Sequence, residues 1–288
     1  MSNFKINVLE DTYTIYELVE ESSSSFVRIC PERGAIATEL TLNGQSLFYL
    51  DRDTFLNPDA NIRGGNPILF PICGQLNDTQ YEWNGQTYTM KNHGVARTAA
   101  WEVTATSTDG QASLELRLRS DDTTLASYPF EFELVFTYVL QDGKLRIDQR
   151  YCNRSDEAMP VYAGFHPYFN ADSKSLVYAT DATDYYDYND EKVKAIEGAI
   201  DLNGLVESVA LLDAKQPSIT FPVSDSCTVT MNYSDIFKYV VLWSVEGKPF
   251  VCVEPWMAKT NELNNKTELP IIEAGQELNA WLTIACET

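Results

Sequence analysis

The chain has 288 residues, 44% of them hydrophobic and 12% aromatic, which excludes a disordered polypeptide and supplies enough apolar mass for a large core. Its 21 basic against 42 acidic side chains give a formal charge of −21. That field repels nucleic acid and anionic membrane, which are bound through lysine and arginine, so the expected partner is a small molecule, and an anionic one needs a local basic cluster.

The first stretch, "MSNFKINVLEDTYTIYELVEESSSS", carries acidic residues where a secretory leader needs an apolar run. No apolar run approaches the ~20 residues of a membrane-spanning helix, and a cytoplasmic protein is expected. Asn43-Gly44 and Asn84-Gly85, the latter inside "YEWNGQTYTM", mark two hairpins. "SLELRLRS" at 113–120 alternates apolar and charged residues at the period of a strand. Phe132, Leu134, Phe136, Tyr138 and Leu140 fall on one face of a second strand. After Asp142-Gly143 the alternation resumes, with Leu145 and Ile147 against Arg146, Asp148 and Arg150, which predicts a third hairpin. The polar stretch 184–200, "DYYDYNDEKVKAIEGAI", reads as a short helix or a loop. Helical periodicity is otherwise scarce and no repeat or linker interrupts the chain. Short strands over the whole length predict one all-β domain spanning 1–288, a large sandwich or a barrel. The six cysteines include no C-x-x-C pair, so they are expected to be small buried hydrophobes in a reduced protein rather than zinc ligands.

Three stretches break the strand rhythm. In "IRGGNPILFPICGQL" (62–76) two glycines after Arg63 allow a sharp turn, and an arginine there can donate up to five hydrogen bonds to hydroxyls or a phosphate. In "KNHGVAR" (91–97) a strand would place Lys91, His93 and Arg97 on one face, beside a glycine that leaves the imidazole open to a ligand. In "YAGFHPYF" (162–169) the only other histidine, His166, lies among aromatics whose burial lowers its pKa, and Pro167 biases it toward an extended backbone. Taken singly, each histidine is better explained as a packing or partly exposed residue. A fourth feature is Glu254, expected to close the apolar strand 250–253 just before Pro255-Trp256; a carboxylate there is costly unless paired or functional. Two histidines and a glutamate suit general acid–base chemistry on a small polar substrate, with no metal and no cofactor. A His-His-Glu metal site is the rival, without support from an H-E-x-x-H spacing; a serine hydrolase lacks its G-x-S-x-G elbow.

The order "RGGNPILFPICGQL", "NHGVAR", "GFHPYF", "VEPW" resembles the aldose 1-epimerase (galactose mutarotase-like) family, in particular its bacterial branch near hexose-6-phosphate mutarotase-like proteins. The likeness runs from "PERGAIATELTLNGQSLFYLD" to "AGQELNAWLTI". It implies a large antiparallel β-sandwich, the supersandwich, with an open cleft, and interconversion of the α and β anomers of a hexose or hexose 6-phosphate. On this resemblance Glu254 is the base for the C1 hydroxyl, His166 the acid for the ring oxygen, and His93 the residue that holds and polarises the sugar. Arg63 matches an arginine that contacts hydroxyls or phosphate, Trp256 is an aromatic available to stack on the sugar, and Lys91 and Arg97 complete the cluster a phosphate requires. The acidic sugar-binding residue that many members carry between His166 and Glu254 has no matched position, and Asp235 is not carried over. A monomer or weak homodimer is expected. The alternative from another class is a carbohydrate-binding or sensing protein that keeps the cleft without turnover.

Overall fold

The computed structural model describes residues 3–287. Three antiparallel sheets dominate it, as expected for an all-β sandwich. A five-stranded meander runs Phe4–Glu10, Thr14–Glu20, Ser25–Cys30, Ile36–Leu42 and Gln45–Ser46 in chain order. A seven-stranded sheet has the long strands Lys144–Asn153 and Phe132–Gln141 at its middle and Ser218–Ser224 and Glu102–Ser107 at its edges. An eight-stranded sheet carries Phe250–Trp256 in its interior, flanked by Tyr239–Trp243 on one side and by Gly164–Phe165 and Tyr168–Asn170 on the other.

The three hairpins form where the turn chemistry placed them. Both central residues have positive φ at Asn43-Gly44 (50° and 78°), Asn84-Gly85 (49° and 77°) and Asp142-Gly143 (53° and 65°), the backbone that matches the twist of paired strands. Phe132, Leu134, Phe136, Tyr138 and Leu140 are all buried, and their rings and methyls fill the space between sheets. Phe136 meets Phe165 of the eight-stranded sheet at 6.2 Å between ring centroids, and Phe132 meets Phe70 at 4.8 Å. Glu20, almost fully buried, accepts the N–H groups of Asp142 (3.1 Å) and Gly143 (2.7 Å), so the meander caps the turn of the long hairpin. This gives a buried carboxylate the partners that its desolvation demands.

Two expectations are corrected. The stretch 184–200 is neither helix nor loop: Asp184–Asp187 and Lys192–Ala195 form a hairpin at the edge of the eight-stranded sheet. Its polar composition reflects that edge, where charged side chains deter further pairing, and Lys194 bridges Asp187 at 2.6 Å. The cysteines are not all free thiols either. Cys227 and Cys286, brought together by the neighbouring strands Cys227–Tyr233 and Glu277–Glu287, are joined as a disulfide, while Cys30, Cys73, Cys152 and Cys252 are free and buried. Among the described residues no helix is long and apolar enough to cross a membrane.

Candidate active site

Glu254 does not close its strand. It lies inside Phe250–Trp256, every residue of which is buried, and is itself 1% exposed. Alternation along this strand puts Cys252, Glu254 and Trp256 on one face, where Val241 and Trp243 join them from the neighbouring strand, opposite Glu254 and Cys252 respectively.

The other neighbour explains the "GFHPYF" motif. Gly164 pairs with Trp256 and Tyr168 with Cys252, so stepping two residues inward from either pair sets His166 opposite Glu254. Pro167 has no N–H to offer the ladder, while the His166 N–H donates to the carbonyl of Pro67 at 3.1 Å, continuing the pairing of Gly164–Phe165 with Ile68–Leu69. The interruption leaves the imidazole facing the carboxylate, with Nδ1 3.4 Å from Glu254 Oε1. The two are not aligned as a hydrogen bond, and the buried Nδ1 has no partner. Tyr168 stacks on the His166 ring at 4.7 Å and 8°, which holds its plane, and the Trp256 indole N–H donates to Glu254 Oε2 at 3.1 Å.

His93 arrives from a turn, not a strand. His93 and Gly94 both have positive φ, 65° and 75°. A Cβ at position 94 would lie 2.2 Å from the carbonyl oxygen of Phe70, so only glycine fits this close approach. The His93 N–H donates to Gly74 O at 2.8 Å and the Gly74 N–H donates to His93 Nδ1 at 3.2 Å. Because a backbone N–H can only donate, Nδ1 is the acceptor and the ring proton sits on Nε2. The two imidazoles meet edge to face, 5.3 Å apart.

The turn also corrects the basic cluster. Lys91 is exposed and does not line the cleft, because residues 91–97 do not run as a strand with one shared face. Arg97 follows in the short 3₁₀ turn Ala96–Thr98, is buried, and directs Nη2 to the carbonyl of Ile62 at 3.4 Å. Arg63 is exposed at the cleft, its guanidinium 5.8 Å from the Trp243 ring centroid.

Burial decides the protonation of this floor. It pulls His166 down to about 3, with Arg97 adding to the effect, and pulls His93 well below the ordinary histidine value, aided by Arg97 and by His166. Burial likewise pushes Glu254 well above the usual carboxylate range, against the Trp256 hydrogen bond and the Arg97 charge, which act in the opposite direction. Low dielectric favours the neutral imidazole and holds the carboxyl proton more tightly.

These groups open on a cleft of about 330 Å³, large enough for one small polar molecule. His93, Arg97, His166, Glu254 and Trp256 line its floor, with Arg63 at its side. The sequence did not single out Glu207, which lines the cleft beside Val206 and Ser208. That stretch is held by Asn189, whose side-chain oxygen accepts from Val206 N–H at 3.0 Å and Glu207 N–H at 2.9 Å and whose amide donates to Glu207 O at 2.9 Å. No local signal separates Glu207 from the other acids of so acidic a chain. Asp235 lines a different cavity. The described residues include one metal-capable group, His166, Cys252 and Glu254, whose ligand atoms lie within 4.8 Å of one another. His93 is not part of it, so the His-His-Glu arrangement is not the one the fold assembles.

Known proteins share this architecture. The solved structure of the Slr1438 protein from Synechocystis sp. PCC 6803 superposes with a TM-score of 0.92 at 37% identity, covering 97% of this chain and 99% of that one. A galactose mutarotase-like protein from Lactobacillus casei ATCC 334 shares the fold with a TM-score of 0.77 at 24% identity, over 98% and 100% of the two chains. Protein LacX, chromosomal, of Lactococcus lactis subsp. lactis is 25% identical over 256 residues, 77% of this chain and 85% of that protein. The model of the aldose 1-epimerase family matches residues 18–285, a span that takes in the arginine turn, both histidine motifs and the glutamate strand, and the chain therefore belongs to the aldose 1-epimerase family.

Proposed function

We propose that the protein interconverts the α and β anomers of a free aldohexose, with Glu254 and His166 as its proton-transfer pair. The observation that carries this is the facing of the two buried groups at 3.4 Å on the floor of the cleft. The reaction needs a base at the C1 hydroxyl and an acid at the ring oxygen, two atoms on one carbon, so the two catalytic groups must be neighbours.

In the forward direction Glu254 takes the C1 hydroxyl proton while His166 donates to the ring oxygen. The C1–ring-oxygen bond breaks as the C1 carbonyl forms. Rotation about C1–C2 presents the other carbonyl face, and closure reverses both proton transfers. The pair thus carries one proton throughout and returns to its starting state. Ring opening starts from the pair's minor state, with the proton on His166 and Glu254 as carboxylate; after it the proton sits on Glu254 and the imidazole is neutral, the arrangement that burial favours. His93, with its proton on Nε2, donates to a sugar oxygen, and Arg63, Glu207 and Trp256 serve the remaining hydroxyls and the apolar sugar face.

An uncharged sugar is favoured over a sugar phosphate. Lys91 does not line the cleft and Arg97 is buried against Ile62, which leaves Arg63 as the exposed cation of the cleft, whose lining also includes the acidic Glu207. Polarimetry or NMR exchange on freshly dissolved α-glucose, galactose and glucose 6-phosphate tests both statements. Acceleration with the free hexoses is expected. No acceleration of any sugar by folded protein overturns the reading, and calorimetric sugar binding without exchange identifies a non-catalytic carbohydrate-binding protein instead.

A further inference from the structure

We propose that His166, Cys252 and Glu254 form a binding site for a thiophilic divalent cation, Zn²⁺ or Cd²⁺, and that its occupancy blocks the cleft chemistry. The site follows from strand geometry. Cys252 and Glu254 alternate onto the same face of Phe250–Trp256, and the interrupted strand opposite sets His166 across from Glu254. The three ligand atoms lie within 4.8 Å of one another, all on buried residues. The His166 Nδ1 is an unpartnered buried nitrogen aimed into this group, and Cys252 is a free thiol.

Tetrahedral zinc has bonds of about 2.0–2.3 Å, which place its ligand atoms roughly 3.5 Å apart. The cluster needs to contract by only about 1 Å, within reach of side-chain rotation. His166 and Glu254 line the cleft, which supplies both the entry path and the open fourth position for water. Charge balances as well. Cys252 S–H releases its proton as the sulfur–metal bond forms, and Glu254 binds as carboxylate, releasing its proton if it holds one. Thiolate and carboxylate then neutralise the dication beside a neutral imidazole, so no net charge is left in a low-dielectric floor. The sulfur selects zinc or cadmium over magnesium or calcium.

Two of the three ligands are the groups assigned above to proton transfer, so the inhibition rests on that functional reading while the binding does not. The test titrates full-length, chelator-treated protein, its Cys227–Cys286 disulfide intact, with Cd²⁺, following thiolate-to-metal ultraviolet absorption, and with Zn²⁺ by calorimetry. One equivalent with a thiolate band is expected, and Cys252→Ser or Cys252→Ala should remove the band and weaken Zn²⁺ binding at least about tenfold while leaving anomer exchange within about threefold. Cys73→Ala, which changes a free thiol outside the cluster, should keep the band. X-ray absorption on the zinc-loaded unmodified protein gives a readout that needs no variant: one sulfur at about 2.3 Å with nitrogen and oxygen neighbours at about 2.0 Å. A first shell without sulfur, or undiminished binding by both Cys252 variants, overturns the site. Unchanged exchange at saturating Zn²⁺ overturns the blocking, whereas metal binding to a protein that exchanges no sugar anomers leaves the site standing and removes the functional reading.

Discussion

Glu254→Gln isolates the proposed base from the fold. Glutamine has the shape of glutamate, so its amide oxygen can keep the Trp256 N–H bond now made at 3.1 Å. The amide nitrogen then faces His166 Nδ1, 3.4 Å away and without a partner, and can donate to it. Removing a buried carboxyl and gaining one neutral hydrogen bond is worth about 1 kcal/mol at most, a rise in melting temperature of roughly 2–4 °C for a protein of this size. Proton transfer, by contrast, is lost outright. A positioned general base contributes about 10²–10⁴-fold, so anomer exchange measured by polarimetry should fall by at least about a hundredfold while calorimetric sugar affinity persists. An exchange rate within about tenfold of the unmodified protein, with the variant folded, refutes Glu254 as the base.

The single-proton requirement shapes the pH profile: exchange should fall below about 3, where His166 becomes protonated, and decline again as rising pH removes the proton that burial holds on Glu254 above the usual carboxylate range. A steep loss centred near the ordinary histidine value would contradict the burial argument. In stability the unfolded histidine binds a proton that folded His166 refuses between about 6.5 and about 3, so melting temperature should drop as pH falls through that window. His166→Asn should flatten this slope, and an unchanged slope means another group carries it. Arg63→Ala should raise KM for a free hexose several-fold, with Lys91→Ala without effect, as steady-state kinetics on the two variants will show. Gly94→Ala puts a side chain at φ 75° against the Phe70 carbonyl and should cost more than about 2 kcal/mol in chemical denaturation, and an unmoved midpoint would mean the turn relaxes freely.

Local chemistry made much of this protein legible. Asn-Gly and Asp-Gly pairs dictate their turns because positive φ is a property of the residues themselves, and the alternation from Phe132 to Leu140 dictates which face is buried. The motifs carrying His93, His166, Glu254 and Arg63 were visible for the same reason: glycine and proline mark where a strand must turn or break. Pairing partners are another matter, since register is set between segments far apart in the chain. Nothing near Glu254 states that its strand continues to Trp256, or that a proline-broken strand will hold His166 across from it. The same holds for Lys91, which a strand would have turned into the cleft and a left-handed turn at His93 turns out, and for Glu207, which becomes a cleft wall only through Asn189. The sequence by itself determined the hairpins at the Asn-Gly and Asp-Gly pairs, the buried face of the strand from Phe132 to Leu140 and the residue types available for proton transfer. Tertiary structure alone decided which of them meet and how deeply they are desolvated, because cross-strand register and burial are properties of the assembled sheets and not of any segment.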